Sequence, residues 1–336
     1  MKTVKTYPHT VTRMAVLISV IFTLTFSGCK NAGDDGSNRI PVIGFLDFIQ
    51  DPTIELAKQG FFDALRLEGY SEADSTIVVV YANAQGDIPT LNQSCDFILS
   101  KNPDLIGTNV TLSTITAVQR TKTVPIFMMV APRPDIAGLT GKDGKAPANL
   151  FGVYETLDYI DSAVVIISEL FPSAKKIGTV FNQSEPQSKD AYNALFRKCN
   201  ELGLELVSLP VNNSSETQLV TQALLDKKID VFFALPDNVI FASFETIAKE
   251  CDAMNVPIFT SEAGLVTRGA IASYGADFYY WGYQSGTQAA RFLASGMKIK
   301  PEPEIVALRK KIYNAAVAAR YGIIPDSTYS AYAPGR

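Results

Sequence analysis

Histidine and cysteine are few in this sequence, and they exclude more chemistry than they offer. The 336 residues include one histidine and four cysteines. The histidine, His9, lies in a start that carries Lys2, Lys5 and Arg13 and no acid, followed by the apolar run "MAVLISVIFTLTF" from Met14 to Phe26. Those 13 residues fall short of the roughly 20 that a membrane-spanning helix needs. A basic start, a short apolar core and small residues at its end describe a secretory signal peptide over residues 1–28. Its removal takes away the only imidazole, and with it Ser-His-Asp and Cys-His pairs and His-ligated zinc. Three of the 30 basic residues and none of the 34 acidic ones precede Cys29, so the formal charge moves from -4 to -7 on cleavage. A negative chain argues against nucleic acid and against a polybasic membrane patch.

The remaining thiols point the same way. Cys95 shares a helical face with Leu91, Ile98 and Leu99, Cys199 with Leu195 and Leu202, and Cys251 with Ile247 and Met254. An odd count without clustered spacing is neither a disulfide framework nor a metal site, so buried free thiols are expected. The stretch "GLTGKDGKA" imitates a phosphate loop. Gly138 and Gly144 have five residues between them where that loop needs four, and no Ser or Thr follows Lys145. No cofactor and no metal are expected. Cys29 differs from the other three. The pair Ser27-Gly28 before it resembles the lipobox of bacterial lipoproteins, with Phe26 where that box usually has leucine. Cys29 is therefore the expected lipidation site, and residues 29–39, rich in Gly, Asp and Asn, form a flexible tether.

The rest of the chain alternates strand-like and helix-like segments. "RIPVIGFLDFI" reads as a buried strand, and "TIELAKQGFFDALRLEGY" places Ile54, Ala57, Phe61, Leu65 and Leu67 near one helical face before stopping at Gly69. "TIVVVYAN", "DLIGTNV" and "VPIFMMVA" follow as strands, separated by helices. After an irregular piece at 132–148 the pattern restarts, with strands "KKIGTVFN", "LELVSLPV", "DVFFALP" and "VPIFTS" and one helix over "VIFASFETIAKECDAMN". Repeated βα units imply parallel sheets covered by helices. About 300 mature residues exceed one comfortable core, so two domains are expected. In such sheets ligands bind beyond the carboxyl ends of the strands, which makes the residues just after each strand the informative ones.

Those residues carry a resemblance. "GFLDFIQDP", "YANAQGD", "TVPIFMMV", "NLFGVYE", "FPSAKKIGTVFNQSEPQS", "LPDNVIFASFE" and "GADFYYWGYQSG" occur in an order and at distances similar to the family of ABC-transporter substrate-binding lipoproteins whose better-known members bind tryptophan or other aromatic amino acids. The likeness spans about 40–325, and "YNAAVAARYGIIP" extends it. It implies an α/β, bilobed periplasmic-binding-protein fold of type I: two parallel-sheet domains joined by a hinge, without catalytic chemistry. Lobe 1 is expected to take 40–150 plus about 277–303, and lobe 2 to take 151–276 plus about 304–336.

The resemblance also implies site residues. Leu46 and Asp47 stand where the family offers a small polar residue and a glutamine, and Arg133-Pro134 where it often has Asp-Pro. Ser184-Glu185-Pro186-Gln187-Ser188 answers a Ser-Glu-x-Asn-Ser pattern, Asp237 and Asn238 match outright, and Glu262 supplies the polar loop after "PIFTS". A ligand carboxylate is expected at the helix start of Thr111 and Ser113, whose free N–H groups suit an anion, with Arg133 beside it. The ammonium is expected at Asp237, with Asp47. Phe48, Phe181 and Tyr274 are candidate walls of an apolar slot. Trp281 is expected to report closure without touching ligand.

The reading is an extracytoplasmic solute-binding lipoprotein of an ABC importer, not an enzyme. Its expected partners are a small solute, favoured as an aromatic or apolar amino acid, a permease with its ATPase, and the membrane through the lipid. A monomer that binds no nucleic acid is expected, in the periplasm or at the cell surface. Two alternatives stay open: a sensor of the same fold serving a membrane signalling partner, and a carboxylate-based enzyme.

Overall fold

Strand β1, Val42–Asp47, is apolar because it has parallel partners on both sides: β2, Val78–Asn83, and β3, Leu105–Asn109. The computed structural model describes residues 1, 3 and 39–332, so the leader, Cys29 and nearly all of the tether lie outside the described residues. The first sheet adds β4, Ile126–Met129, β5, Leu150–Tyr154, and β11, Glu304–Ile305, in the order β11-β5-β4-β3-β1-β2, all parallel. Phe45, Phe61 and Phe127 are among the largest side chains sealed in its core. The edge strand β2 is only half-buried, with Val78 and Tyr81 exposed.

The second sheet holds β6, Lys176–Phe181, β7, Glu205–Pro210, β8, Val231–Ala234, β9, Ile258–Thr260, β10, Ala272–Ala276, β12, Arg309–Tyr313, and β13, Ser330–Ala331. Its order is β13-β12-β10-β9-β8-β6-β7, and only β12 runs antiparallel to its neighbour β10. The chain changes sheet three times: after Tyr154, after Ala276, and between β11 and β12. The sequence reading put two of these changes at 150 and 304. Residues 151–154 and 304–305 stay with the first sheet, since Phe151 pairs with Phe127 and Glu304 with Val153.

Two helices hold the first lobe's back. Helix α1, Pro52–Leu67, starts on Asp51, whose carboxylate accepts from the N–H groups of Thr53 at 2.8 Å and Ile54 at 3.1 Å. Leu67, expected on its buried face, is exposed. Helix α10, Phe278–Ala294, packs along α1 at backbone distance. A Cβ at Gly282 would lie 1.8 Å from the Ala57 carbonyl oxygen, and one at Gly286 2.3 Å from that of Phe61.

Between these lie α2, Ile88–Ser100, α3, Thr111–Arg120, α4, Tyr159–Leu170, α5, Pro186–Glu201, and α6, Thr217–Leu225. The helix expected over 239–255 is two: α7, Asn238–Ala242, and α8, Phe244–Ala253, broken at Ser243. The Arg268 guanidinium donates to the Phe241 carbonyl at 2.8 Å, the acceptor that a continuous helix would have used. Helices α9, Ala263–Thr267, and α11, Ala315–Arg320, complete the second lobe. Cys95, Cys199 and Cys251 are buried free thiols, as the helical faces predicted. No helix among the described residues is long and apolar enough to cross a membrane.

Candidate functional site

The carboxyl ends of β3 and β4 face those of β8 and β9, and the backbone there is strained. Val110, Val130 and Leu157 have φ of 66°, 50° and 64°. Bulky residues in the left-handed region cost of order 1–3 kcal/mol each, and such strain gathers at functional sites. All three line one cavity of about 30 Å³.

Val110 sets up that cavity. It follows β3 directly, at φ 66° and ψ 163°, and launches α3 without any side-chain cap. The N–H of Thr114 is the first to return to the chain, on the Val110 carbonyl at 3.2 Å. The N–H groups of Thr111, Leu112 and Ser113 precede it and have no acceptor within the helix. They form an anion-seeking helix start, with Thr111 in the cavity wall.

The second lobe answers with acceptors. Glu262 is fully buried, and its Oε1 accepts from the Tyr159 hydroxyl and the Ser261 hydroxyl, both at 2.8 Å. Its Oε2 and the Oε1 of Gln187 are buried without a partner, and both residues line the cavity. Burial pushes the Glu262 carboxyl up to about 7; the bonds from Tyr159 and Ser261 pull it down, and nearby Glu155 pushes it up. Phe241, Phe278 and Trp281 supply the aromatic part of the wall.

A larger chamber of about 460 Å³ opens further from the hinge, between β1, β2 and α3 on one side and the ends of β6, β7 and β8 on the other. Asn238 lines both spaces. Between them stands Glu185, whose Oε2 accepts from the side chain of Gln187 and from the backbone and side chain of Asn238 at 3.4 and 2.8 Å. Burial, and then the charge of Asp237, push the Glu185 carboxyl up to about 8. Burial raises the Asp237 carboxyl as well.

The structure thus gathers Thr111, Gln187, Asn238 and Glu262 at the inner cavity, and Phe48, Ser184, Glu185 and Asn238 at the outer chamber. Others lie elsewhere. Asp237 is a correction: it is fully buried, with Oδ1 capping α7 through Val239 and Ile240 and Oδ2 taking the Asn182 N–H at 2.7 Å and the Ser188 hydroxyl. Each of its oxygens already serves two donors, so it braces two loops and lines neither space. Asp47 is turned to Lys58, 3.6 Å away, and burial raises it to about 6. The Ser113 side chain is buried in α3, outside the cavity lining. Arg133 forks onto Asp135 at the surface, at 2.6 and 2.9 Å. Phe181 stacks on Tyr192 at 4.2 Å in a separate surface hollow. Tyr274 sits in β10 opposite Lys311, away from both spaces.

Trp281 belongs to the cavity wall, a place the sequence reading does not give it. It lines the inner cavity, fixed by a hydrogen bond from its Nε1 to the Val153 carbonyl at 2.8 Å. Sequence reasoning missed Tyr159, Phe241 and Phe278 too. Phe278 and Trp281 lie in the "GADFYYWG" tract, which held the signal, whereas Tyr159 and Phe241 looked like ordinary helix core.

Comparison with known proteins bears on this cleft. The family model described as ABC transporter substrate binding protein matches residues 42–333. The tyrosine-binding protein of Clostridioides difficile (strain R20291) is 32% identical over 287 residues, covering 83% of this chain and 82% of that protein. A solved conserved domain protein from Vibrio cholerae superposes with a TM-score of 0.80 at 26% identity, over 87% of this chain and 99% of the other. A solved ABC domain in complex with L-Trp from Streptococcus pneumonia gives 0.79 at 25% identity, over 86% and 97%.

Proposed function

This chain belongs to the ABC transporter substrate-binding protein family, and on that premise we propose that it captures an amino acid with a large aromatic side chain between its lobes and hands it to a membrane permease. Members of this family are extracytoplasmic binding proteins, not enzymes. The observation that carries the ligand class is the pairing inside the inner cavity: an uncapped helix start faces two buried acceptors that lack donors. An α-carboxylate takes the N–H groups at Thr111–Ser113. An α-ammonium takes Glu262 Oε2 and Gln187 Oε1. Each unsatisfied buried acceptor costs about 1–3 kcal/mol, which the ammonium relieves. The relatives named for tyrosine and solved with L-Trp support an aromatic side chain.

The cavity of about 30 Å³ holds only a water or two as it stands. The lobes must part to admit a solute and close again over it, which is the state a permease reads. The anchor in this reading is a lipid on Cys29, checked by detergent partition of the full-length protein against Cys29→Ala.

The central test is Glu262→Gln, which keeps the shape and the acceptor for Tyr159. Removing one partner of a buried charge pair costs roughly 2–5 kcal/mol, about 30-fold to several thousand-fold in affinity. Calorimetric titration with L-tyrosine should show that loss, and N-acetyl-L-tyrosine should bind poorly to the unaltered protein. Equal affinity of both proteins for L-tyrosine would sink the ammonium assignment.

A further inference from the structure

The first lobe has an apolar end, and it lies away from the cleft. All strands of its sheet are parallel, so their starts gather at one end and their carboxyl ends at the cleft. Helix α1 returns from the end of β1 toward the start of β2, so it finishes at the strand starts. Helix α10 runs beside it in the same direction, since Gly282 meets Ala57 and Gly286 meets Phe61. Near its end the Phe292 ring lies 5.7 Å from that of Phe127, the second residue of β4. The turn after α10 therefore sits at the strand starts too, closed by the Met297 N–H on the Phe292 carbonyl at 2.9 Å.

Apolar side chains are left open there. Ile299 is 70% exposed and Leu67 65%, and Ile40, Val78 and Met297 are exposed as well. Single exposed apolar residues are ordinary on a surface, but five gathered at one end call for a cover. In the turn, Met297, Lys298, Ile299 and Lys300 alternate apolar with basic, and all four are exposed. Neither lysine head has an ion-pair partner among the described residues. From Arg291 to Pro303 the chain holds three bases and one acid, Glu302, although the whole chain is negative. The start of the fold shows what lies against this end. Exposed Ile40 stands just before β1, and Cys29 is ten residues before Arg39, a span of at most about 35 Å. A lipid on Cys29 thus keeps this end beside the bilayer, where an apolar tip flanked by lysines suits the boundary between acyl chains and anionic head groups. Two lysines are too few to hold a protein on a membrane alone, and the tether supplies the local concentration they lack.

We propose that the strand-start end of the first lobe is a membrane-contacting face. Met297 and Ile299 enter the head-group boundary of an anionic bilayer, and Lys298 and Lys300 meet lipid phosphates while their stems stay on the apolar surface. This rests on the lipid at Cys29. The anchored protein then stands on its first lobe, with the cleft held above the surface and the second lobe farthest out.

The experiment places the mature lipidated protein in vesicles of equal parts phosphatidylcholine and phosphatidylglycerol that also carry a nitroxide lipid. A bimane label goes on Ile299→Cys or, as the control, on Met254→Cys, an exposed apolar site at the strand-start end of the second lobe. The thiols of Cys95, Cys199 and Cys251 are buried and do not compete for the label. Quenching by the nitroxide lipid at position 299 should be at least about threefold that at 254. Adding Lys298→Glu with Lys300→Glu, or using phosphatidylcholine alone, should lower it at least about twofold. Protein that floats with the vesicles but is quenched equally at both positions overturns the face and leaves the anchor standing. Protein that does not float overturns the anchor and the face with it. A label at 299 that is shielded from iodide in vesicle-free protein, and released on dilution, overturns the membrane in favour of a second copy of this chain.

Discussion

Glu262 and Glu185 hold their protons to higher pH than exposed glutamates do. Burial raises them from an ordinary 4.5 to about 7 and about 8, and Asp47 rises to about 6 for the same reason. Below about pH 4.5 the folded and unfolded chains both hold the glutamate protons, and the stability they confer is fully present. As pH rises through the window from about 4.5 to 8, the unfolded chain releases protons that the folded chain keeps, and that stability is lost. The ligand-free melting temperature should therefore fall from pH 5 to pH 8. A bound ammonium favours ionised Glu262, so the extra stability from L-tyrosine should grow over the same range. Thermal unfolding across pH, with and without L-tyrosine, reads both. A flat ligand-free profile would mean that these carboxyls are hydrated in solution.

At the scale of elements, two helices meet the rest of the fold in opposite ways. Helix α3 begins on a strained valine with open N–H groups, a start that lowers stability and serves binding. Helix α10 is seated for stability, since Gly60, Gly282 and Gly286 let it lie on α1 with backbone nearly touching backbone. Its Trp281 then reaches the cavity wall while bonded to Val153. Gly282→Ala pushes a methyl against the Ala57 carbonyl, where no side chain can yield. Chemical denaturation should show a loss of about 1–3 kcal/mol or more. Ligand affinity should fall as well, because the displaced helix carries Phe278 and Trp281. Unchanged stability would mean that the two helices separate in solution.

For the whole molecule the decisive contact is between lobes. Arg268, at the end of α9, donates to the Asp51 carboxylate at the start of α1 at 2.6 Å and to Glu245 at 2.8 Å. The Arg268 and Asp51 side chains are 9% and 1% exposed. Beside them Gly264 lies so near Thr53 that a Cβ would fall 2.0 Å from its methyl carbon. This pair ties one lobe to the other. Arg268→Ala strands Asp51, and breaking a buried pair on one side costs about 3–5 kcal/mol. Small-angle scattering should show a larger radius of gyration for Arg268→Ala than for the unaltered protein without ligand, converging when L-tyrosine saturates both. Identical curves without ligand would show that the pair does not hold the lobes.

The βα alternation, the two largely parallel sheets and the buried thiols were legible in the sequence, because hydrophobic period and residue type are local properties. The ordered strand-end motifs carried the family for the same reason. Tertiary structure decided which residue at each strand end meets the cleft. Asp237 and Glu185 are both acids after buried strands, and nothing in the sequence separates them; the fold gives Asp237 four donors and leaves an oxygen of Glu185 with one. Glu262, one polar residue in a loop by sequence, becomes the buried acceptor of the inner cavity because Tyr159, 103 residues away, takes its other oxygen. The positive φ of Val110, the break at Ser243 under Arg268 and the Asp51–Arg268 pair likewise depend on partners far along the chain. Local sequence fixes what a side chain can donate or accept, and only the packed fold settles which partner reaches it first.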